Sequence, residues 1–423
     1  MTEHHPVRGR HLVAADRRFS KGGGLLARLL ARGFRSVIDQ IDRGLEAGVI
    51  DATLPGGGSR KLGGRGPGPV AVVHLHSWNA LVRLVASGSV GWARAWLDGE
   101  WSSPDPVPLF DLFMRNRLTL GSAGRAKGLF RLKNRIAHAW RANTQAGARR
   151  NIAFHYDLGN DFYASWLDAT MTYSSAIFAH PISDAEPLEK AQQRKMRRLL
   201  DRLQLVPGGT MLEIGSGWGG LTEMAAADGA EVLGITLSEE QLADARDRIA
   251  AAGLSDRARF ALTDYREVEG RFDAVASVEM IEAVGEEYWP AYVQAVARTL
   301  KPGGRAALQF ISIDDAIFEG YRANADFIQA MIFPGGLLVS ESRLQALAED
   351  AGLTWQDRTG FGLDYAETLK RWRARFDAAV AERRLPAGFD DHFVRLWRYY
   401  LMYCEGGFRG GGIDVAQVTL VKR

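Results

Sequence analysis

A single cysteine, Cys404, stands among 423 residues, which excludes an internal disulfide framework and any metal site built from several thiolates. Long apolar runs are missing too: none approaches the ~20 residues that a membrane-spanning helix requires. The opening residues, Met1-Thr-Glu-His-His-Pro-Val-Arg8, lack the charged-then-apolar layout of a secretory signal. Net charge is only +3, so the overall balance names no class of partner. Its distribution is less even, because no acidic residue occurs between Asp111 and Asp157. Together these absences predict a cytoplasmic protein that is free to visit the inner face of a membrane.

What is present is an ordinary globular composition, with 46% hydrophobic and 24% charged residues. The length suffices for a full α/β domain and a second region. The central stretch is Met211-Leu-Glu-Ile-Gly-Ser-Gly-Trp-Gly-Gly220, followed by Leu221-Thr-Glu-Met-Ala-Ala-Ala227. It reads as strand, tight turn and helix, the opening of a dinucleotide- or nucleoside-binding unit. The glycines permit positive φ and let a ligand approach the backbone, and the helix N-terminus offers free N–H groups. The same glycines satisfy G-x-G-x-x-G, so a nicotinamide or flavin site stays open. Against it, a dinucleotide site expects an acid about 20 positions on. Here the second strand ends in Thr236-Leu-Ser238, and Glu239 already begins the next helix. The balance favours S-adenosylmethionine.

Along the chain, residues 1–20 are polar and predicted to be flexible, 21–111 form a small mixed α+β domain, 112–150 a basic linker, and 151–423 the main domain. Near the start, Leu25, Leu26, Leu29, Leu30, Phe34 and Val37 recur at helical spacing among Arg28, Arg32 and Arg35. Such a helix suits either an anionic bilayer or its own domain. Residues 55–69 read as an exposed glycine-rich loop, 70–76 as a strand and 80–85 as a short helix. The linker carries Arg115, Arg117, Arg125, Lys127, Arg131, Lys133, Arg135, Arg141, Arg149 and Arg150 around Leu129, Phe130, Leu132, Ile136 and Trp140. A lipid surface, a solvated linker and nucleic acid are the three readings. In the main domain, strands are predicted at 211–214, 231–236, 258–263, 274–278, 306–313 and 415–421, with helices between most of them. This is a doubly wound, mostly parallel α/β sheet whose last strand joins antiparallel at an edge. Residues 314–414, rich in aromatics, form an insertion suited to a substrate lid.

Further blocks extend the pattern: His155-Tyr-Asp-Leu-Gly-Asn-Asp-Phe-Tyr163, Thr172-Tyr-Ser-Ser-Ala176 and Gly234-Ile-Thr-Leu-Ser238. Downstream stand Ile332-Phe-Pro-Gly-Gly336, Gly362-Leu-Asp-Tyr365 and Trp397-Arg-Tyr-Tyr400. With the glycine turn, these resemble the cyclopropane-fatty-acyl-phospholipid synthases and the related mycolic acid methyltransferases, over residues 150–423 and more loosely over 80–150. The resemblance implies a seven-stranded class-I methyltransferase sheet with a smaller N-terminal domain. It implies S-adenosylmethionine as methyl donor and the double bond of an unsaturated phospholipid acyl chain as acceptor. A carbocation follows, and a base removes a proton so that a cyclopropane closes. A phospholipid membrane is the implied partner, nucleic acid is not, and a homodimer stays open. A C-methyltransferase giving methyl-branched or methylene lipids, or a small-molecule methyltransferase, are the competing activities.

For the cofactor the resemblance places Tyr173 and Ser174 over the methionine end, Glu213, Gly215, Gly217 and Gly219 in the turn, Thr236, Leu237 and Gln241 at the ribose, and Asp264 with Tyr265 at the adenine. It implies a bound bicarbonate as base, held by Glu282, Tyr365 and the backbone of Ile311. Ser175 stands where many members have cysteine and Gln309 where they have histidine. Both can still donate hydrogen bonds to an anion, but histidine's proton capacity is lost. Glu279 adds a second carboxylate three residues before Glu282, which either alters local charge or bonds loop backbone.

Overall fold

The computed structural model describes residues 8, 9, 11, 12, 31–121, 158–324 and 326–423, with side chains of its first long helix from Ser36 onward. The hydrophobic positions 25–30, the basic stretch 125–150 and the start of the motif at 155–157 lie outside the described residues. The chain divides into two compact units, one of residues 1–141, 314–334 and 387–413, the other of 142–313, 335–386 and 414–423.

The first unit holds a four-stranded sheet of β1 (Ala47–Thr53), β2 (Ser59–Gly63), β3 (Gly66–Leu75) and β4 (Trp101–Ser102), in the order β2-β1-β3-β4. β1 runs antiparallel to β2 and parallel to β3. Residues 55–69, expected as a loop, contain β2 and the start of β3. Glycines and charges hid an edge strand, on which Lys61 is exposed and Arg60 pairs with Asp39. The helix expected at 80–85 extends over Asn79–Leu97, broken at Gly88 (φ 59°, ψ −138°). Behind it Trp92 and Trp101 stack with centroids 4.4 Å apart. Helices Val107–Arg115 and Asp391–Arg409 meet so closely that a Cβ on Gly406 would lie 2.4 Å from Phe110 Cβ. The buried Asp326 carboxylate accepts from Ser89 Oγ and from Tyr403 OH, each at 2.9 Å.

The second unit is built on β5 (Thr210–Ile214), β6 (Glu231–Thr236), β7 (Ala258–Leu262), β8 (Phe272–Val278), β9 (Leu300–Ile313), β10 (Val339–Ser340), β11 (Leu353–Gly360) and β12 (Ile413–Lys422). Seven strands lie in the order β11-β12-β9-β8-β5-β6-β7, with the short β10 beside β9. β5 through β9 pair in parallel, and β12 is antiparallel to β11. The last strand is therefore interior, not an edge. Its six central residues are all buried, as an inner strand requires, whereas β11 carries the exposed Gln356, Asp357 and Arg358 that protect an edge. Helices Leu188–Leu203, Gly220–Ala227 and Glu239–Ala251 present Leu199, Leu203, Leu221, Ala225, Ala245 and Ile249 to the core. The carboxyl ends of β5, β6, β8 and β9 then face one side, where ligands of open α/β sheets bind. No helix among the described residues is long and apolar enough to cross a membrane.

Candidate active site

The glycine turn follows β5 directly. Gly215 has φ 81°, and a Cβ there would sit 2.4 Å from Met280 Cγ, so both conformation and contact demand glycine. Gly217 has φ 51° and its missing Cβ would meet nothing within 4 Å, leaving bare backbone open to a ligand. The amides of Gly215 and Ser216 donate to Ile235 O at 3.0 and 2.9 Å, tying the turn to β6. Glu213, at the end of β5, accepts from Thr222 Oγ1 at 2.5 Å. Burial pushes its pKa up to about 7, against the pull of Thr222 and the Lys195 charge.

At the tip of β6, Thr236 Oγ1 donates to Gln241 Oε1 at 3.0 Å and accepts from Ser238 N at 3.2 Å. Ser238 caps the following helix at Gln241 N, 3.2 Å away, and half-buried Leu237 lies between. After β7, Asp264 is held by Arg266 through Nε at 2.8 Å and a terminal nitrogen at 2.6 Å. The neighbouring Tyr265 ring is buried against Tyr292, and its hydroxyl is buried without a hydrogen-bond partner. Tyr173 sits among Tyr163, Trp166 and Trp372, with centroids 5.3 to 5.6 Å apart. Bare backbone, neutral polar groups and an orphaned buried hydroxyl suit an adenosyl ligand that lacks a pyrophosphate.

The carboxylates lie beyond β8. Backbone pairing of β8 with β9 runs on past Val278, since Glu279 N donates to Gln309 O at 2.8 Å. Glu279 takes φ 51°, a conformation costing a non-glycine residue about 1–3 kcal/mol. Its Oε1 accepts from Ser175 N at 2.9 Å and from Gln309 Nε2 at 2.8 Å, and its Oε2 from Tyr365 OH at 2.7 Å. Burial raises its pKa, opposed by Tyr365, Ser175, Gln309 and the Lys195 charge. Glu282, on the helix Ile281–Val284, accepts from Ile311 N through Oε1, while Oε2 is buried and unpartnered. Burial pushes the Glu282 pKa up to about 8, with the Ile311 amide acting against it. Ser175, Gln309, Ile311, Tyr365 and Glu282 are thus brought together. Ser175 N, Gln309 Nε2 and Tyr365 OH donate to Glu279 and Ile311 N to Glu282, so the donors a bicarbonate would need are already engaged by the chain's own carboxylates.

Lys195 escaped the sequence, where Glu279 reads only as a second carboxylate near Glu282. Glu279 is the hub of the cluster, and Lys195 lies 1% exposed with Nζ 2.6 Å from Ser174 Oγ. Burial lowers the Lys195 pKa to about 8, resisted by the charges of Glu279, Asp168 and Glu213. The signal for Lys195 was its place on the apolar stripe with Leu188, Ala191, Gln192 and Leu199. Gln417 Nε2 joins the network, donating to Lys195 O at 3.3 Å and Gln309 Oε1 at 3.1 Å.

A doubly wound sheet in this order, with a glycine turn after its first strand and no acid gripping a ribose at the second, defines a class-I methyltransferase that uses S-adenosylmethionine. The family model described as mycolic acid cyclopropane synthetase matches residues 143–418, well over half of the chain, and the protein belongs to that family. The chain is 40% identical over 358 residues to a tuberculostearic acid methyltransferase of Mycobacterium tuberculosis, covering 82% of each. It is 35% identical over 341 residues to the cyclopropane-fatty-acyl-phospholipid synthase of Escherichia coli K12, covering 80% of this chain and 84% of that one. Among solved structures, a mycolic acid cyclopropane synthase complexed with SAH and CTAB aligns with TM-score 0.59 and 30% identity, over 65% of this chain and 98% of that one. SAH is the demethylated form of the methyl donor.

Proposed function

We propose that the protein adds a one-carbon unit to the double bond of an unsaturated phospholipid acyl chain, forming a cyclopropane. The observation that carries this reading is the buried Glu279–Tyr365–Gln309 cluster beside the glycine turn, with Met280 packed on Gly215. S-adenosylmethionine supplies an electrophilic methyl group when bound there. The chain's own task is then to shelter a carbocation and accept a proton. Tyr365, which bonds Glu279, packs edge-on against Trp372, itself packed on Trp166 and Tyr173, so the cluster has aromatic surroundings whose quadrupoles favour a cation and which keep water away. Glu213, Gly217, Thr236, Gln241, Asp264 and Tyr265 orient the cofactor. Residues 21–111 and the basic stretch 112–150 hold the enzyme to the cytoplasmic face of a membrane.

The second reading, a methyl-branched or methylene product, is favoured by Ser175 and Gln309 standing where cysteine and histidine are expected. The test is incubation with S-adenosylmethionine and vesicles of a mono-unsaturated phospholipid, followed by mass spectrometry of the released acyl chains. A gain of one CH2 with the double bond lost supports ring closure. A gain with the double bond retained moves the assignment to the branched product. No gain at all refutes both.

A further inference from the structure

We propose that Glu279 is the proton acceptor of this reaction, a base built into the chain in place of a bound bicarbonate; the inference rests on the double-bond reading above. Three donors from separate parts of the second unit converge on this one carboxylate: Ser175 N, Gln309 Nε2 and Tyr365 OH, at 2.9, 2.8 and 2.7 Å. They hold it from both oxygens, as an anion is held, and favour its charged form. The loop supports the placement. Glu279 keeps a left-handed φ of 51° that glycine or asparagine would adopt with less strain, so its side chain and not its backbone selects it. Residue 280 then touches the glycine turn.

Glu282 complements it. One oxygen of Glu282 is bound to Ile311 N and the other is buried without a partner, which suits a protonated neighbour and leaves Glu279 as the charged member of the pair. In the proposed step, a carboxylate oxygen of Glu279 takes a proton from the cation formed on methylation. The released C–H pair forms the new carbon–carbon bond, and the proton leaves Glu279 for solvent before the next turnover. No bound anion is needed.

The test uses the full chain prepared in CO2-free buffer under argon, with S-adenosylmethionine and mono-unsaturated phospholipid vesicles, with and without added bicarbonate. Turnover is expected to be the same, within about twofold, in both. A loss of about tenfold or more on depletion, reversed by bicarbonate, overturns the proposal and leaves the double-bond reading standing. Absence of any CH2 gain overturns that reading and this one with it. Glu279→Gln keeps the shape but not the base, and its turnover is expected to fall by about a hundredfold or more with SAH affinity nearly unchanged. Turnover close to wild type in that variant also refutes the assignment. Should the variant fail to fold, the wild-type comparison decides alone.

Discussion

Glu282→Gln should change how stability depends on pH. In the folded protein Glu282 is enclosed, with Ile311 N on one oxygen and nothing on the other, and its pKa is pushed from an ordinary 4.5 to about 8. The folded chain therefore keeps a proton that the unfolded chain releases, so stability falls as pH rises from 4.5 to about 8 and levels off above. At about 1.4 kcal/mol per pH unit the whole interval corresponds to roughly 5 kcal/mol. Relaxation and water entry around a partly accessible residue reduce this to about 2 kcal/mol. Glutamine abolishes the titration. Its amide adds a cost of its own, but one that does not vary with pH, and Glu213 and Lys195 titrate in both proteins. The slope is therefore the readout. Thermal midpoints followed across this interval should move in favour of the variant by about 4–8 °C, then run parallel above about pH 8.5. Parallel curves throughout would refute the enclosure of this carboxylate.

Four further outcomes are expected. Gly217→Ala, whose methyl would enter open space, should fold but bind SAH about tenfold more weakly by calorimetry, whereas Gly215→Ala, which collides with Met280, should lose about 2 kcal/mol or more of stability in denaturant unfolding. Thr222→Val removes the hydrogen bond to Glu213 and should cost about 1–3 kcal/mol, with the loss growing as pH rises through about 7 because the ionised form is the one deprived. Vesicle binding measured by co-sedimentation should weaken with added salt if the basic stretch 112–150 contacts anionic headgroups; binding indifferent to salt would assign it to apolar residues instead.

The strand–turn–helix at 211–227 was legible because the glycines and the periodic apolar residues are adjacent in sequence. β11 was not, since its edge position selects polar residues that read as loop. β12 looked like an edge strand only because nothing outside it had been recognised. At the site, the family blocks placed Glu282, Gln309, Ile311 and Tyr365 near one another. What they could not show is which group the donors serve. Glu279 gathers partners 104, 30 and 86 positions away, and that convergence depends on a left-handed φ that no glutamate announces. Lys195 lay hidden for the opposite reason, in a helix so rich in Arg and Lys that one more cation looked solvated.

The division of the chain bears on how such an enzyme could arise or be trimmed. The residues that match the family, 143–418, include 314–334 and 387–413, which pack within the same unit as the N-terminal sheet. Removing residues 1–121 would strip Asp391–Arg409 of its Val107–Arg115 neighbour and leave Asp326 without Ser89. A cut at the sequence boundary would thus run through a packed core. The N-terminal region is no detachable module in this protein. Any truncation of it must replace the cover it gives those two segments.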